Sequence, residues 1–184
     1  MCERRYLSNI LRCLASAALA VAFLLPLAAA ALESDEAAPA FEVGYADSKL
    51  LRLSDLAGSV VVMTLESRDT TGINQPFKDA LLKAFPADER LRRRIVVVPV
   101  IACFQYPWFA KGFCARGVQD SVRKVNLQLY VDMTGDVFRD YGAREDTSTV
   151  VVIDRTATVR HSTSGSIPEE EIPKLIDRIS RLAQ

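Results

Sequence analysis

Reactive side chains are scarce in this chain. Its 184 residues include one histidine, His161, and one tryptophan, Trp108. The four cysteines stand at positions 2, 13, 103 and 114, so no Cys-x-x-Cys pair exists anywhere. One imidazole and so few thiols do not make a metal ligand set, and no cofactor is expected. A triad built from Ser67, Asp69 and His161 has no supporting spacing. Charge of one sign is also missing, with 23 Lys and Arg against 23 Asp and Glu. Without a basic surplus, phosphate backbones have little to hold, and nucleic acid is not expected as a partner.

The N-terminus carries Arg4, Arg5 and Arg12, an apolar stretch from Leu14 to Leu27, and the small-residue exit Ala28 to Ala31. This is the pattern of a secretory signal peptide over residues 1–31, cleaved after Ala30 or Ala31. A retained membrane anchor is the alternative, disfavoured by the short apolar core. Cleavage removes three Arg and one Glu, leaving a mature charge of −2. It also removes Cys2 and Cys13, so Cys103 and Cys114 are left in a periplasmic or secreted setting where disulfides persist. Residues 32–39, L-E-S-D-E-A-A-P, read as a flexible lead-in, and residues 40–184 as one domain.

Within that domain, Phe41 to Val43 and Leu50 to Leu53 predict a small hairpin. Ser59 to Leu65 is apolar without alternation, which predicts a strand covered on both faces. The spacing of Phe77, Leu81, Leu82 and Phe85 predicts a helix over Asn74 to Phe85. A charged stretch ending in E-R-L-R-R-R reads as a solvated helix end ahead of a second buried strand, Ile95 to Cys103. Then follow a helix over Phe113 to Val125, a strand at Leu129 to Asp132, a turn at Thr134 to Asp136, and an apolar strand at Thr149 to Ile153. Thr158 to His161 pairs beside that strand, with His161 an exposed residue at its end. A helix closes the chain from Pro168 to Leu182, with Pro173 confined to its first turn. The order predicts an α/β fold with a central mixed sheet flanked by helices and preceded by the hairpin.

Four segments carry a family resemblance: P-A-F-E-V at Pro39 to Val43, L-S-D-L-A-G-S-V-V-V-M at Leu53 to Met63, D-M-T-G-D-V-F-R-D-Y-G-A at Asp132 to Ala143, and T-V-V-V-I-D-R at Thr149 to Arg155. Together they resemble the thioredoxin-like fold of exported thiol oxidoreductases and peroxiredoxins. The stretches E-S-R-D-T-T-G-I-N at Glu66 to Asn74 and R-E-D-T-S-T-V-V-V-I-D at Arg144 to Asp154 are closer still to the YtfJ-like group of periplasmic proteins. The fold's working members carry their Cys-x-x-Cys pair or peroxidatic Cys after the first core strand, where helix amides lower the thiol pKa. In this chain those positions fall near Thr70 and Ile73. The position of the family's cis-Pro, before the last core strand, is Ser148, where a cis bond would cost about 3 kcal/mol.

The resemblance and the departures together imply a non-catalytic binding or regulatory module. A different class stays open: a thiol-disulfide oxidoreductase or peroxiredoxin-like protein that uses Cys103 and Cys114, both placed at the carboxyl edge of the sheet. That pair otherwise forms a structural disulfide across the intervening loop. Labels within the YtfJ-like group add a third expectation, transcriptional regulation, which export and the mature charge oppose. Ser67, Arg68, Asp69, Thr70 and Thr71, with Ser148, are the candidate ligand-binding residues, or else simple helix caps. Phe104 to Phe113 gathers Phe104, Tyr106, Trp108, Phe109 and Phe113 in one loop. It is either a surface for another exported protein or peptide or a lid over the sheet edge.

Overall fold

The computed structural model describes residues 35–45, 49–85, 94–125 and 128–184. The leader assignment, Cys2 and Cys13, and most of the E-R-L-R-R-R stretch lie outside those residues. The hairpin is β1 (Glu42–Tyr45) and β2 (Leu50–Arg52), followed by a 3₁₀ turn at Leu53–Leu56. Next come β3 (Val60–Glu66), α1 (Gln75–Ala84), β4 (Ile95–Ala102) and α2 (Trp108–Val125). The chain continues through β5 (Tyr130–Asp132), α3 (Asp136–Asp140), β6 (Thr149–Ile153), β7 (Val159–Ser164) and α4 (Ile172–Leu182). The strands form one seven-stranded sheet in the order β2-β1-β5-β4-β3-β6-β7. β4 is parallel to both β3 and β5, whereas β6 runs antiparallel to β3 and pairs antiparallel with β7.

The mixed order follows from connection length. The β3–β4 and β4–β5 connections each hold a helix and cross over to give parallel pairs; β6 and β7 are joined by a tight turn and must pair antiparallel. That turn is organised by Asp154, whose Oδ1 accepts from the amides of Thr156 at 2.8 Å and Thr158 at 3.0 Å. Burial opposes ionisation of Asp154, but the Thr156 hydroxyl, Arg160 and those amides outweigh it and hold the carboxyl at about 2.

Alternation along the central strands divides the core in two. Val61, Met63 and Leu65 of β3 join Val151 and Ile153 of β6 on one face, packed with Phe41, Phe138 and Tyr141. Val60, Val62, Val150 and Val152 point to the other face, against Phe77 and Leu81 of α1 and Ile172, Leu175 and Ile179 of α4. β3 is therefore buried along its whole length, as its unbroken apolar run predicts. Pro173 lies in the first turn of α4, where a missing amide costs nothing.

Several boundaries differ from the sequence reading. Leu82 is 55 % exposed, so the buried face of α1 is narrower than its spacing suggests. A short helix, α3, follows the expected turn at residues 134–136. β7 runs three residues further than expected and places His161 inside the strand, opposite Val152 and half-buried, not at an exposed end. Residues 168–171 form a turn ahead of α4. The segment expected as a flexible lead-in is tied to β7 from residue 35 onward: Asp35 and Ala38 donate amide bonds to Val159 and Ala157, and Glu36 accepts from Val159.

The largest helix change is in α2, which begins at Trp108 instead of Phe113. Pro107 supplies the start, its carbonyl accepting from the amides of Ala110 at 2.8 Å and Lys111 at 3.1 Å. Aromatic side chains and Gly112 are modest helix formers, and this is why the segment reads as a loop in the sequence. Among the described residues no helix is long and apolar enough to cross a membrane. Ile179, fully buried where α4 meets the sheet, is a direct probe of this packing. Ile179→Ala is expected to lower unfolding free energy by roughly 3 kcal/mol in a urea melt.

Candidate functional site

β3 and β4 leave the sheet at the same edge, and β6 enters it there. The junction between β3 and α1, where the family resemblance leads one to expect a reactive group, holds Glu66, Ser67 and Thr70, all buried. The Ser67 amide donates to Thr70 Oγ1 at 2.8 Å, and the two hydroxyls lie 3.2 Å apart within hydrogen-bond reach. Thr71 Oγ1 donates to the Arg68 carbonyl, while the side chains of Arg68 and Asp69 are exposed. The candidate hydroxyls therefore bond within the turn.

Beneath them lies a polar network that the sequence reading did not find. Lys78 Nζ, one turn into α1, donates to Glu66 Oε2 at 3.2 Å and Oε1 at 3.3 Å, and also to the Thr71 carbonyl. Ser148 Oγ donates to Glu66 Oε1 at 2.8 Å. Asn74 Nδ2 donates to Ser148 Oγ and to the Gly165 carbonyl, both at 2.9 Å, and its Oδ1 accepts from the Ile167 amide at 2.9 Å. Burial pushes the Glu66 carboxyl upward, and Lys78 and Ser148 oppose that push.

Asn74 occupies the N-cap position of α1, yet neither it nor Asp69, Thr70 or Thr71 caps the helix with a side chain. Pro76 near the start of α1 removes one amide that would need a partner. Ser148 is wholly buried, and no peptide bond is cis among the described residues. The position that presents backbone to substrate in the resembling family here sends its hydroxyl inward to a carboxylate. A signal for this network was present in the sequence: Glu66 ends an apolar strand, where an acidic side chain needs an internal partner.

Cys103 and Cys114 form a disulfide with their Cα atoms 5.8 Å apart. Cys103 is fully buried beside Ile101, Val118 and Val131, and Cys114 packs against that cluster. The amides of Cys103 and Phe104 both donate to the Asp132 carbonyl, at 2.9 and 3.0 Å, which holds this end of β4 against β5. Thiol exchange requires an incoming thiolate to reach a sulfur in line, which burial of Cys103 hinders.

The aromatic segment divides. Phe104 turns inward, edge-on to Phe138 with ring centroids 5.2 Å apart. It also lies close over Gly135, whose φ of +88° and lack of a side chain suit the tight approach. Trp108, Phe109 and Phe113 turn outward from α2, with exposures of 86 %, 65 % and 68 %. Arg116 sits 4.4 Å from the Phe113 ring centroid. The segment is thus a lid at Phe104 and an exposed apolar ledge along α2. Among the described residues no group of three or more His, Cys, Asp and Glu side chains is placed to hold a metal ion.

No family model matches the chain, and no curated protein matches it by sequence. Solved structures do match. A protein assigned as a thiol:disulfide interchange protein DsbE from Chlorobium tepidum is 19 % identical, covers 84 % of this chain and all of its own, and superposes with a TM-score of 0.62. The exposed lipoprotein thioredoxin Etrx1 of Streptococcus pneumoniae is 21 % identical over 76 % of this chain and 99 % of its own, with a TM-score of 0.56. The thioredoxin domain of a thiol-disulfide oxidoreductase from Bacteroides vulgatus is 12 % identical over 82 % and 99 %, with a TM-score of 0.57. At these identities the likeness establishes the fold: the domain is thioredoxin-like.

Two substitutions test the energetics of the site. Lys78→Met strands Glu66, and is expected to cost about 3 kcal/mol at pH 7. Because burial already holds the folded carboxyl above its unfolded value of about 4.3, removing Lys78 raises it further. The native state then keeps a proton that the unfolded chain has lost, so the variant's deficit grows as pH rises from 4 to 7 and shrinks toward pH 4. Urea melts at both pH values check it. Replacing both Cys103 and Cys114 by Ala is expected to cost about 3 kcal/mol, measured against the oxidised protein.

Proposed function

We propose that the protein is an exported, non-catalytic member of the thioredoxin-like fold that binds an extended apolar segment of another exported protein. The observation that carries this reading is the β3–α1 junction. Where the fold keeps its thiol, this chain has Ser67 and Thr70 bonded to each other over the buried Glu66, which pairs with the partly buried Lys78. Such a junction has no electrons to exchange, and its donors and acceptors are committed internally.

The exposed ledge of Trp108, Phe109 and Phe113 supplies the binding surface. Large aromatics grouped in the open are uncommon on a surface without a partner. Export rests on the N-terminal sequence pattern, and a disulfide fits an oxidising compartment. Grouping with the YtfJ-like proteins rests on the stretches at Glu66 to Asn74 and Arg144 to Asp154.

A second reading, thiol-disulfide exchange by Cys103 and Cys114, is favoured by one observation. Their disulfide lies at the carboxyl end of β4, next to the strand end where this fold keeps its chemistry. Transcriptional regulation has no comparable support, since the mature charge of −2 offers nothing to DNA.

The sole tryptophan makes the first reading measurable. Alkylated insulin B chain, an extended apolar polypeptide, is expected to shift Trp108 emission to the blue, and Phe109→Ala with Phe113→Ala is expected to weaken binding about tenfold. The same protein should reduce intact insulin no faster than buffer with dithiothreitol alone. A Cys103–Cys114 potential below about −300 mV marks the pair as structural. Insulin reduction that disappears on Cys114→Ala would instead establish the second reading.

A further inference from the structure

A cavity of about 400 Å³ lies between β7 and α4. Ile167, Pro168 and Leu175 make its apolar wall, and His161 and Thr163 border it from β7. α4, which carries Leu175, also contributes a cationic row. Lys174 is paired at 2.7 Å with Glu171, a carboxylate that also lines the cavity, and Arg181 is paired with Asp177. Arg178, between them and also lining the cavity, has no ion pair or hydrogen bond among the described residues.

The neighbour that Arg178 does act on carries no countercharge. It is His161, whose proton affinity is lowered by its half-buried position and then by the charge of Arg178. His161 Nε2 is itself buried with no hydrogen-bond partner among the described residues. Unlike the two neighbouring cations of the same helix, the exposed Arg178 guanidinium has no carboxylate partner among the described residues, and the apolar side chains of the cleft lie beside it. A guanidinium offers a planar fork of donors that matches the two oxygens of a carboxylate. The cavity volume falls at the small end of the range for small-molecule sites.

We propose that the β7–α4 cleft binds a small amphiphilic carboxylate, its head group on Arg178 and its apolar body along Ile167, Pro168 and Leu175. The head group replaces water at the Arg178 guanidinium with a countercharge, and the apolar body displaces water from Leu175 and its neighbours. A free aliphatic acid and the C-terminal carboxylate of a peptide present the same chemistry. This cleft is separate from the α2 ledge and meets the β3–α1 junction through the hydrogen bond from the Ile167 amide to Asn74, and its ligand is tested independently of the proposed function.

His161 is the sole histidine, so its ring protons form an isolated reporter in a proton NMR titration. Octanoate added to the mature protein is expected to shift the His161 resonances saturably and to raise the pH at which the ring titrates, since the ligand offsets the Arg178 charge. Acetate and inorganic phosphate are expected to bind about tenfold more weakly or worse, lacking the apolar body. Arg178→Gln, at an exposed position that does not threaten folding, is expected to weaken octanoate by about tenfold. A Leu-Leu-Leu tripeptide, as free acid and as C-terminal amide, separates the sources. Tighter binding of the free acid than of octanoate assigns a peptide C-terminus; weaker binding assigns a free aliphatic acid. His161 resonances unmoved by octanoate, equal affinity of Arg178→Gln and the parent protein, or phosphate binding as tightly as octanoate would each overturn the proposal.

Discussion

A carboxylate at the end of a strand that is buried on both faces has to find its countercharge inside the protein. Glu66 ends β3, an interior strand flanked by β4 and β6, with 2 % of its surface exposed. Its partners are drawn from three directions: Lys78 from α1, Ser148 from the entry to β6, and Asn74 through Ser148. Satisfying one charge thereby fixes the start of α1, the approach to β6 and the loop that carries Ile167 into α4. Losing any one partner would leave a buried polar group unmet, a penalty that hydrogen-bonded groups in water never face. The network explains why a junction without a reactive group still has a specific geometry: its shape is set by what Glu66 needs.

The two remaining features of that sheet edge follow from the path of α2. Cys114 and Val118, four residues apart, face the core, which leaves Trp108, Phe109 and Phe113 on the outer side of the helix. The disulfide anchors the inner stripe to β4, so the aromatics cannot turn inward without breaking the register of the helix on the sheet. Exposure of the ledge is thus a consequence of covalent anchoring and helical period together.

The sheet and most helices were legible because burial writes itself into apolar runs. Ser59 to Leu65, Ile95 to Cys103 and Thr149 to Ile153 can only be interior strands, and Ile172, Leu175 and Ile179 mark one face of a helix. The start of α2 was hidden because aromatics and Gly112 do not resemble a helix, and the decisive signal was a single proline. At the site, sequence located the junction and its hydroxyl residues. It could not show that Lys78 folds back on Glu66, or that Asn74 reaches Ser148 and Ile167, because those contacts span up to 93 residues and depend on the sheet already being assembled. His161 was misplaced for a related reason: the polar residues of β7 carry no period that marks the strand's length.

The segment that precedes the hairpin has a bearing on solubility. β7 is an outer strand of the sheet, and such a strand offers unpaired amides and carbonyls to any other chain that presents an edge. Asp35 to Ala38 occupy part of that border, with Ala37 bridged to Thr158 and Glu36 accepting from Val159. At the opposite border β2 is only three residues long. The start of one border is therefore occupied by the protein's own backbone and the other border is only three residues long, and both features shorten the edge open to another chain.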